Sequence, residues 1–239
     1  LLSAIRQEDR YEAELKPLLA TPPSHTQLGM AALLPNKELE LKGDSSVLVD
    51  GKKSQGAANR LKILQAGLKE KRANVVSAED FIDMPREGAN GYRALFSEHD
   101  VVYIYHNRID ATGDKRDSEE RVFEAVDQTL NELSKMVRKL ANANATNMIV
   151  TADHGFIYQN RDIDESDFVG KDAKGDQIFF RDRRFILGEG LKANKSLRTF
   201  ESSELGLAGQ LEIQIPKSIN RLRLKGSGSR FVHGGATLQ

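Results

Sequence analysis

One pattern constrains the fold more than any other: a strand-like run, a long amphipathic helix and a second strand-like run follow one another across residues 101–152. Val101-Val102-Tyr103-Ile104-Tyr105 is apolar on both faces, as expected of a buried central strand. From Ser118 to Leu140, Phe123, Val126, Leu130, Leu133, Val137 and Leu140 recur three or four apart while charges fill the opposite side, which predicts a core-facing helix. Asn147-Met148-Ile149-Val150-Thr151-Ala152 predicts a second buried strand. Strand, helix, strand is a βαβ unit, so the expected class is α/β: a central, mostly parallel sheet flanked by helices.

The flanking segments add to this core. Leu39 to Asp50 reads as a peripheral β-hairpin around a Gly-Asp turn, and Gln55 to Lys71 as a helix with Ser54 at its N-cap. Asn74-Val75-Val76 predicts a short strand running into Ser77-Ala78-Glu79-Asp80, a capped helix start. After Tyr158 the texture changes. Polar loops give way to Gln177-Ile178-Phe179-Phe180, Leu211-Glu212-Ile213-Gln214-Ile215 and Arg221-Leu222-Arg223-Leu224, which predict antiparallel strands in a cap or edge insertion over 160–225. With no internal repeat, residues 1–239 are expected to form a single domain. The chain opens without Met, inside an amphipathic pattern, and stops at Thr237-Leu238-Gln239 with no polar tail, so it reads as a piece of a longer polypeptide.

Composition narrows the chemistry. No window approaches the roughly 18 apolar residues of a membrane span, and no membrane partner is expected. Lys plus Arg equals Asp plus Glu at 35 each, so anion recognition must be local. The absence of cysteine excludes disulfides and thiolate ligands and fits a reducing cytoplasm, the expected location. Metal ligands, where present, are His and carboxylate.

In open α/β sheets, polar residues just past the carboxyl ends of strands line the ligand crevice. The strand ending at Tyr105 runs into His106-Asn107-Arg108-Ile109-Asp110-Ala111-Thr112-Gly113-Asp114, and the one ending at Ala152 into Asp153-His154-Gly155. Carboxylates and imidazole at one sheet edge are costly to bury unless a cation compensates them. Each motif has a plainer reading: Asp-His-Gly as a turn, Asp110 to Asp114 as a surface turn, His233 as a structural histidine between Val232 and Gly234. Thr26 falls near the start of a short helix ended by Pro35, placed either to act as a nucleophile or simply to cap. Arg221, Arg223, Lys225 and Arg230 approach His233, and Arg181, Arg183 and Arg184 form a second basic group. Both read either as a phosphate-backbone patch or as solvated edge-strand charge.

Taken in order, Pro23-Ser24-His25-Thr26-Gln27-Leu28-Gly29-Met30-Ala31-Ala32-Leu33-Leu34-Pro35, Tyr105 to Asp114, Val150-Thr151-Ala152-Asp153-His154-Gly155-Phe156 and Phe231-Val232-His233-Gly234-Gly235 resemble the alkaline phosphatase superfamily. Within it they resemble the PglZ family of bacterial phage-defence (BREX) systems, from about Arg10 to Gln239. The resemblance implies an alkaline-phosphatase-like sheet and two divalent metals, zinc or manganese. Thr26 would be the nucleophile beside one metal bound by Asp153 and His154, with Asp110, Asp114 and His233 on the second. Many phosphodiesterase relatives carry His where this chain has Asp114, which makes the second site richer in oxygen. The family's first strand, with a metal-binding Asp in an Asp-Ala-Leu-Arg-like motif, is expected before residue 1.

The function implied is a metal-dependent phosphohydrolase, foremost a phosphodiesterase or nuclease acting on nucleotide or nucleic-acid esters in phage defence. Arg221, Arg223 and Arg230 would bind substrate, and other phage-defence proteins would be partners. The alternatives are a phosphomonoesterase and a weak or inactive phosphatase-like scaffold that binds partner defence proteins.

Overall fold

The structure, a computed structural model, describes residues 1–7, 11–169, 173–224, 228 and 230–236. Short helices α1 (Leu2–Arg6) and α2 (Thr26–Ala32) precede the expected hairpin, in which β1 (Leu39–Leu41) pairs antiparallel with β2 (Val47–Val49) and β3 (Lys52–Lys53) adds a third strand. The hairpin is not peripheral. Alternation turns Leu39, Leu41, Val47 and Val49 to one side, where they join Leu28, Ala31, Phe185, Leu187, Ile213 and Ile215 in a buried cluster. The carboxyl-terminal strands therefore share a core with residues near the amino end.

Helix α3 (Ala57–Leu68) is shorter than expected and has Gly56, not Ser54, at its N-cap. Ser54 is buried and its hydroxyl donates to the Val47 carbonyl at 2.8 Å, so it secures the hairpin instead. Strand β4 (Ala73–Ser77) ends on the residue that caps α4 (Ala78–Asp83), the Asp80 amide donating to Ser77 Oγ at 3.0 Å. After α5 (Tyr92–Glu98), β5 (Val101–Tyr105) pairs in parallel with β4, from Ala73 opposite Val101 to Ser77 opposite Tyr105. Helix α6 (Arg108–Gly113) and a 3₁₀ turn (Glu119–Arg121) lead into α7 (Val122–Asn142), the long amphipathic helix.

Here the structure corrects the expectation. Residues 147–152 are not a strand: Ile149 is 92% and Val150 52% exposed, and among the described residues no strand pairs with this segment. An apolar run becomes a strand only when a neighbour takes up its backbone N–H and C=O groups. β5 is accordingly half-buried along its length rather than central. Among the described residues one parallel strand pair, β4–β5, stands where a mostly parallel central sheet was expected.

The antiparallel carboxyl-terminal region forms. After β6 (Ile157–Tyr158), strands β7 (Gln177–Arg181), β8 (Ile186–Glu189), β9 (Leu197–Glu201) and β10 (Glu212–Pro216) make a sheet in the order β7-β8-β10-β9. The expected strand at Arg221–Leu224 is reduced to a bridge between Phe168 and Arg221. Finally β11 (Phe231–Val232) returns to pair antiparallel with β6. The chain is thus a mixed α/β structure with both parallel and antiparallel sheets. Among the described residues no helix is long and apolar enough to cross a membrane.

Candidate metal centre

Four short segments bring the polar cluster together. Thr26 opens α2; Asp110 lies in the first turn of α6, just past β5, and Asp114 closes that helix. Asp153 and His154 precede β6, and His233 follows β11, so the pairing of Val232 with Ile157 draws the two histidines to the same place. Their rings stack with centroids 4.4 Å apart. Two glycines permit this convergence. A Cβ at position 29 would lie 2.3 Å from the Asp153 carbonyl oxygen, and one at position 113 would lie 2.6 Å from the Phe231 ring. Any side chain there would push α2 off the Asp153 loop or α6 off β11.

The Thr26 hydroxyl donates to Asp110 Oδ2 at 3.3 Å and lies 3.1 Å from His154 Nε2. His154 Nε2 is 3.3 Å from Asp110 Oδ2 and 3.4 Å from Asp153 Oδ2, while its Nδ1 donates to the Gly155 carbonyl at 3.0 Å. That second bond turns Nε2 toward the carboxylates. His233 Nε2 is 3.1 Å from Asp114 Oδ1, which also accepts from Arg183 Nη2 at 2.8 Å. One ligand atom each from Asp110, His154 and His233 lies within 4.8 Å of the others.

The electrostatics show a cluster short of positive charge. Burial, followed by Asp110, raises the Asp153 carboxyl above the usual range despite the opposing charge of His154. Burial also works against ionised Asp110 and Asp114, but hydrogen bonds from His154 to the first, and from His233 and Arg183 to the second, outweigh it and hold both below that range. For His154 burial is likewise outweighed, here by Asp110 and Asp153, and its pKa rises to about 8. Among the described residues, Asp153 Oδ2 and His233 Nδ1 are buried without a hydrogen-bond partner. Three carboxylates and two imidazoles around an orphaned oxygen fit a divalent cation with O/N preference, zinc or manganese.

The arginines are placed differently from the sequence reading. Arg221 is 1% exposed and donates to Gln159 Oε1 at 2.9 Å, so it is no part of a solvent-facing patch. Arg223 pairs with Glu165 and lies over the Phe168 ring, and Arg230 reaches Asp162 at 2.5 Å; these contacts lie along residues 159–168, not with the cluster. Lys225 lies outside the described residues. Arg183 and Arg184 are buried, which excludes the solvated-edge reading for both. His25 and His99 serve packing: His25 Nδ1 donates to the Pro23 carbonyl at 2.9 Å, and His99 Nδ1 to that of Leu95 at 2.9 Å.

Two contributors escape sequence reasoning. Glu132 on α7 accepts from His106 Nε2 at 2.7 Å and from Arg108 Nε at 3.0 Å, bracing the turn that carries Asp110. Arg183, embedded in an Arg-Asp-Arg-Arg run, holds Asp114. The sequence reading places Arg183 in a basic group after the strand pattern at 177–180, and nothing in that pattern points to Asp114.

A mixed α/β chain that gathers carboxylates, imidazoles and one hydroxyl in a half-buried cluster has the donor chemistry of a divalent-cation site. Over residues 1–239 the sequence matches the family described as the BREX system PglZ alkaline phosphatase-like domain, and the chain belongs to that family. It is 36% identical over 239 residues to the alkaline phosphatase-like protein BrxZ of Escherichia coli O9:H4 (strain HS), covering 98% of this chain. It is 35% identical over 241 residues to the alkaline phosphatase-like protein PglZ of Bacillus cereus (strain H3081.97), covering 100% of it. The chain spans 27% of the length of each of these relatives. No solved structure matches it.

Proposed function

We propose that this domain is a metal-dependent phosphoric-ester hydrolase with an alkaline-phosphatase-like core, working in the cytoplasm within a BREX phage-defence system beside other defence proteins. The observation that carries this reading is the Thr26 hydroxyl, which lies between Asp110 Oδ2 and His154 Nε2. A lone N-cap needs neither partner, whereas a nucleophile needs both a proton acceptor and a positive neighbour. Asp153 and His154 would hold one cation beside Thr26, and Asp110, Asp114 and His233 a second. Bound there, two cations supply charge neutralisation for the phosphoryl oxygens and activation of hydroxyl and water.

The chain's own part is to orient the attack. Asp110 Oδ2 accepts the Thr26 proton, and Oγ then attacks phosphorus in line with the departing alcohol. The bond to the leaving oxygen breaks, that oxygen takes the proton from Asp110 and departs as the alcohol, and a phosphothreonine remains, still carrying the second ester group when the substrate is a diester. Water then attacks that phosphorus, Thr26 leaves as its alkoxide and is reprotonated, and phosphate or a phosphomonoester departs. A diester of a nucleotide or nucleic acid is the substrate favoured here. Turnover of a diester and a monoester with one leaving group, by the protein with zinc or manganese and after chelation, tests the reading. Cation-independent turnover, or none of either ester, contradicts it.

A further inference from the structure

We propose that Arg183 is a positioning residue for Asp114 and His233; this rests on the cation-site reading above and adds to it the residue that fixes two of the ligands. Arg183 sits in the turn between β7 and β8, closed by the Asp182 amide donating to the Phe185 carbonyl at 2.9 Å. It is 7% exposed. Nη2 donates to Asp114 Oδ1, and Nη1 donates to the Phe231 carbonyl at 2.9 Å, two residues before His233. One planar guanidinium therefore grips the end of α6 and the strand that delivers the histidine. The neighbouring Arg184 donates to the Gly234 carbonyl at 3.3 Å, so the turn holds the chain on both sides of His233.

The two histidines differ in a way that makes this grip matter. A metal-ligating imidazole is ordinarily oriented through a bond from its other nitrogen. His154 has one, to the Gly155 carbonyl. His233 Nδ1 is buried with no partner among the described residues, so its ring is set there by the stack on His154 and by Asp114 Oδ1. The Asp114 side chain is 42% exposed, and among the described residues Arg183 and His233 are the groups that bond it. A fork with two fixed donors can restrain that carboxylate and the Phe231 backbone together, which a single ammonium cannot.

The test is a zinc titration of the protein followed by histidine-selective NMR, with His154 and His233 signals assigned through His→Gln variants. In Arg183→Gln the His233 response should move to about 10–100-fold higher zinc, the usual cost of losing an outer partner of a ligand, while His154 responds as in the parent. Arg183→Lys should fall between the two, and it carries the same differential reading if Arg183→Gln does not fold. Unchanged or tighter binding at His233, or an equal shift of both histidines, overturns the proposal: the first makes Arg183 a bystander or competitor, the second a general fold support. If neither histidine of the parent responds to zinc, the cation-site reading itself fails, and this proposal with it.

Discussion

Thr26 Oγ1 and His154 Nε2 lie 3.1 Å apart although 128 residues separate them in the chain. The contact depends on α2 lying directly against the Asp153 loop, whose Cβ and carbonyl leave no room for a side chain at Gly29. Thr26→Ala removes the proposed attacking oxygen and none of the carboxylates or imidazoles. Turnover should fall by about 10³-fold or more, with cation content unchanged by elemental analysis. Retained turnover would show that water attacks directly.

Cations should stabilise the protein because the cluster buries carboxylate without enough positive charge. Burial raises Asp153 first and Asp110 adds to it, so an ion that restores the charge balance favours the folded state. At about 100 times its dissociation constant, one ion contributes about 2.7 kcal/mol, or roughly 5–10 °C in Tm for a domain of this size. Thermal melts with zinc or manganese should show that rise, and chelation should reverse it. Asp153→Asn should be neutral or stabilising without cation yet lose much of the cation-induced shift; an undiminished shift would place the ion elsewhere.

Local periodicity made much of this legible. The Leu39/Leu41 and Val47/Val49 alternation and the Ser77 cap are properties of a few neighbouring residues, and the structure contains them; helix α7 forms too, but its buried face runs through Val122, Ala125, Thr129, Met136 and Val137, while Phe123 and Leu130 of the expected stripe are 54% and 37% exposed. Residues 147–152 carry the apolar pattern of a strand, but a strand exists only through a ladder, which no short window specifies. Asp153-His154 and the Asp110 to Asp114 pair could be singled out because they follow strand-like runs. Arg183 could be read only as part of a basic group and Glu132 not at all, since their partners lie 69 and 24 residues away. Arg221 misled in the opposite direction, because basic composition does not reveal that a side chain is enclosed.

Glu132 should give the protein part of its acid sensitivity. The Arg108 hydrogen bond, with His106 adding to it, outweighs burial and holds the Glu132 carboxyl below its ordinary 4.5. A depressed folded pKa contributes stability that is present above the unfolded value and lost as pH falls through the folded one. Glu132→Gln should therefore cost about 1 kcal/mol at neutral pH, a partly exposed network being worth no more. The gap between variant and parent should stay constant above pH 4.5 and close below it. Urea unfolding across this range measures the difference, and a gap that persists at low pH would assign the effect to packing instead.

Gly29 should prove more important to cation binding than to folding. It lies within α2, where alanine is favoured over glycine by about 1 kcal/mol, so substitution brings an intrinsic helix gain. Against that, the new Cβ would meet the Asp153 carbonyl oxygen at 2.3 Å and the Asp153 Cβ at 2.9 Å, and backbone of this kind cannot swing aside as a flexible side chain would. Overpacking of this sort typically costs about 1–3 kcal/mol, leaving a modest net destabilisation. The strain is relieved by moving Asp153 and, with it, the adjoining His154 away from Thr26. Gly29→Ala should therefore lower Tm only slightly while weakening zinc binding by about 10-fold or more, as misplacement of a ligand does. Gly155→Ala is the matched control: it adjoins His154, but a Cβ there meets nothing within 4 Å. Calorimetric zinc titration beside thermal melts separates the two effects. Equal zinc affinity in Gly29→Ala and Gly155→Ala would show that the close approach of α2 to Asp153 serves packing alone.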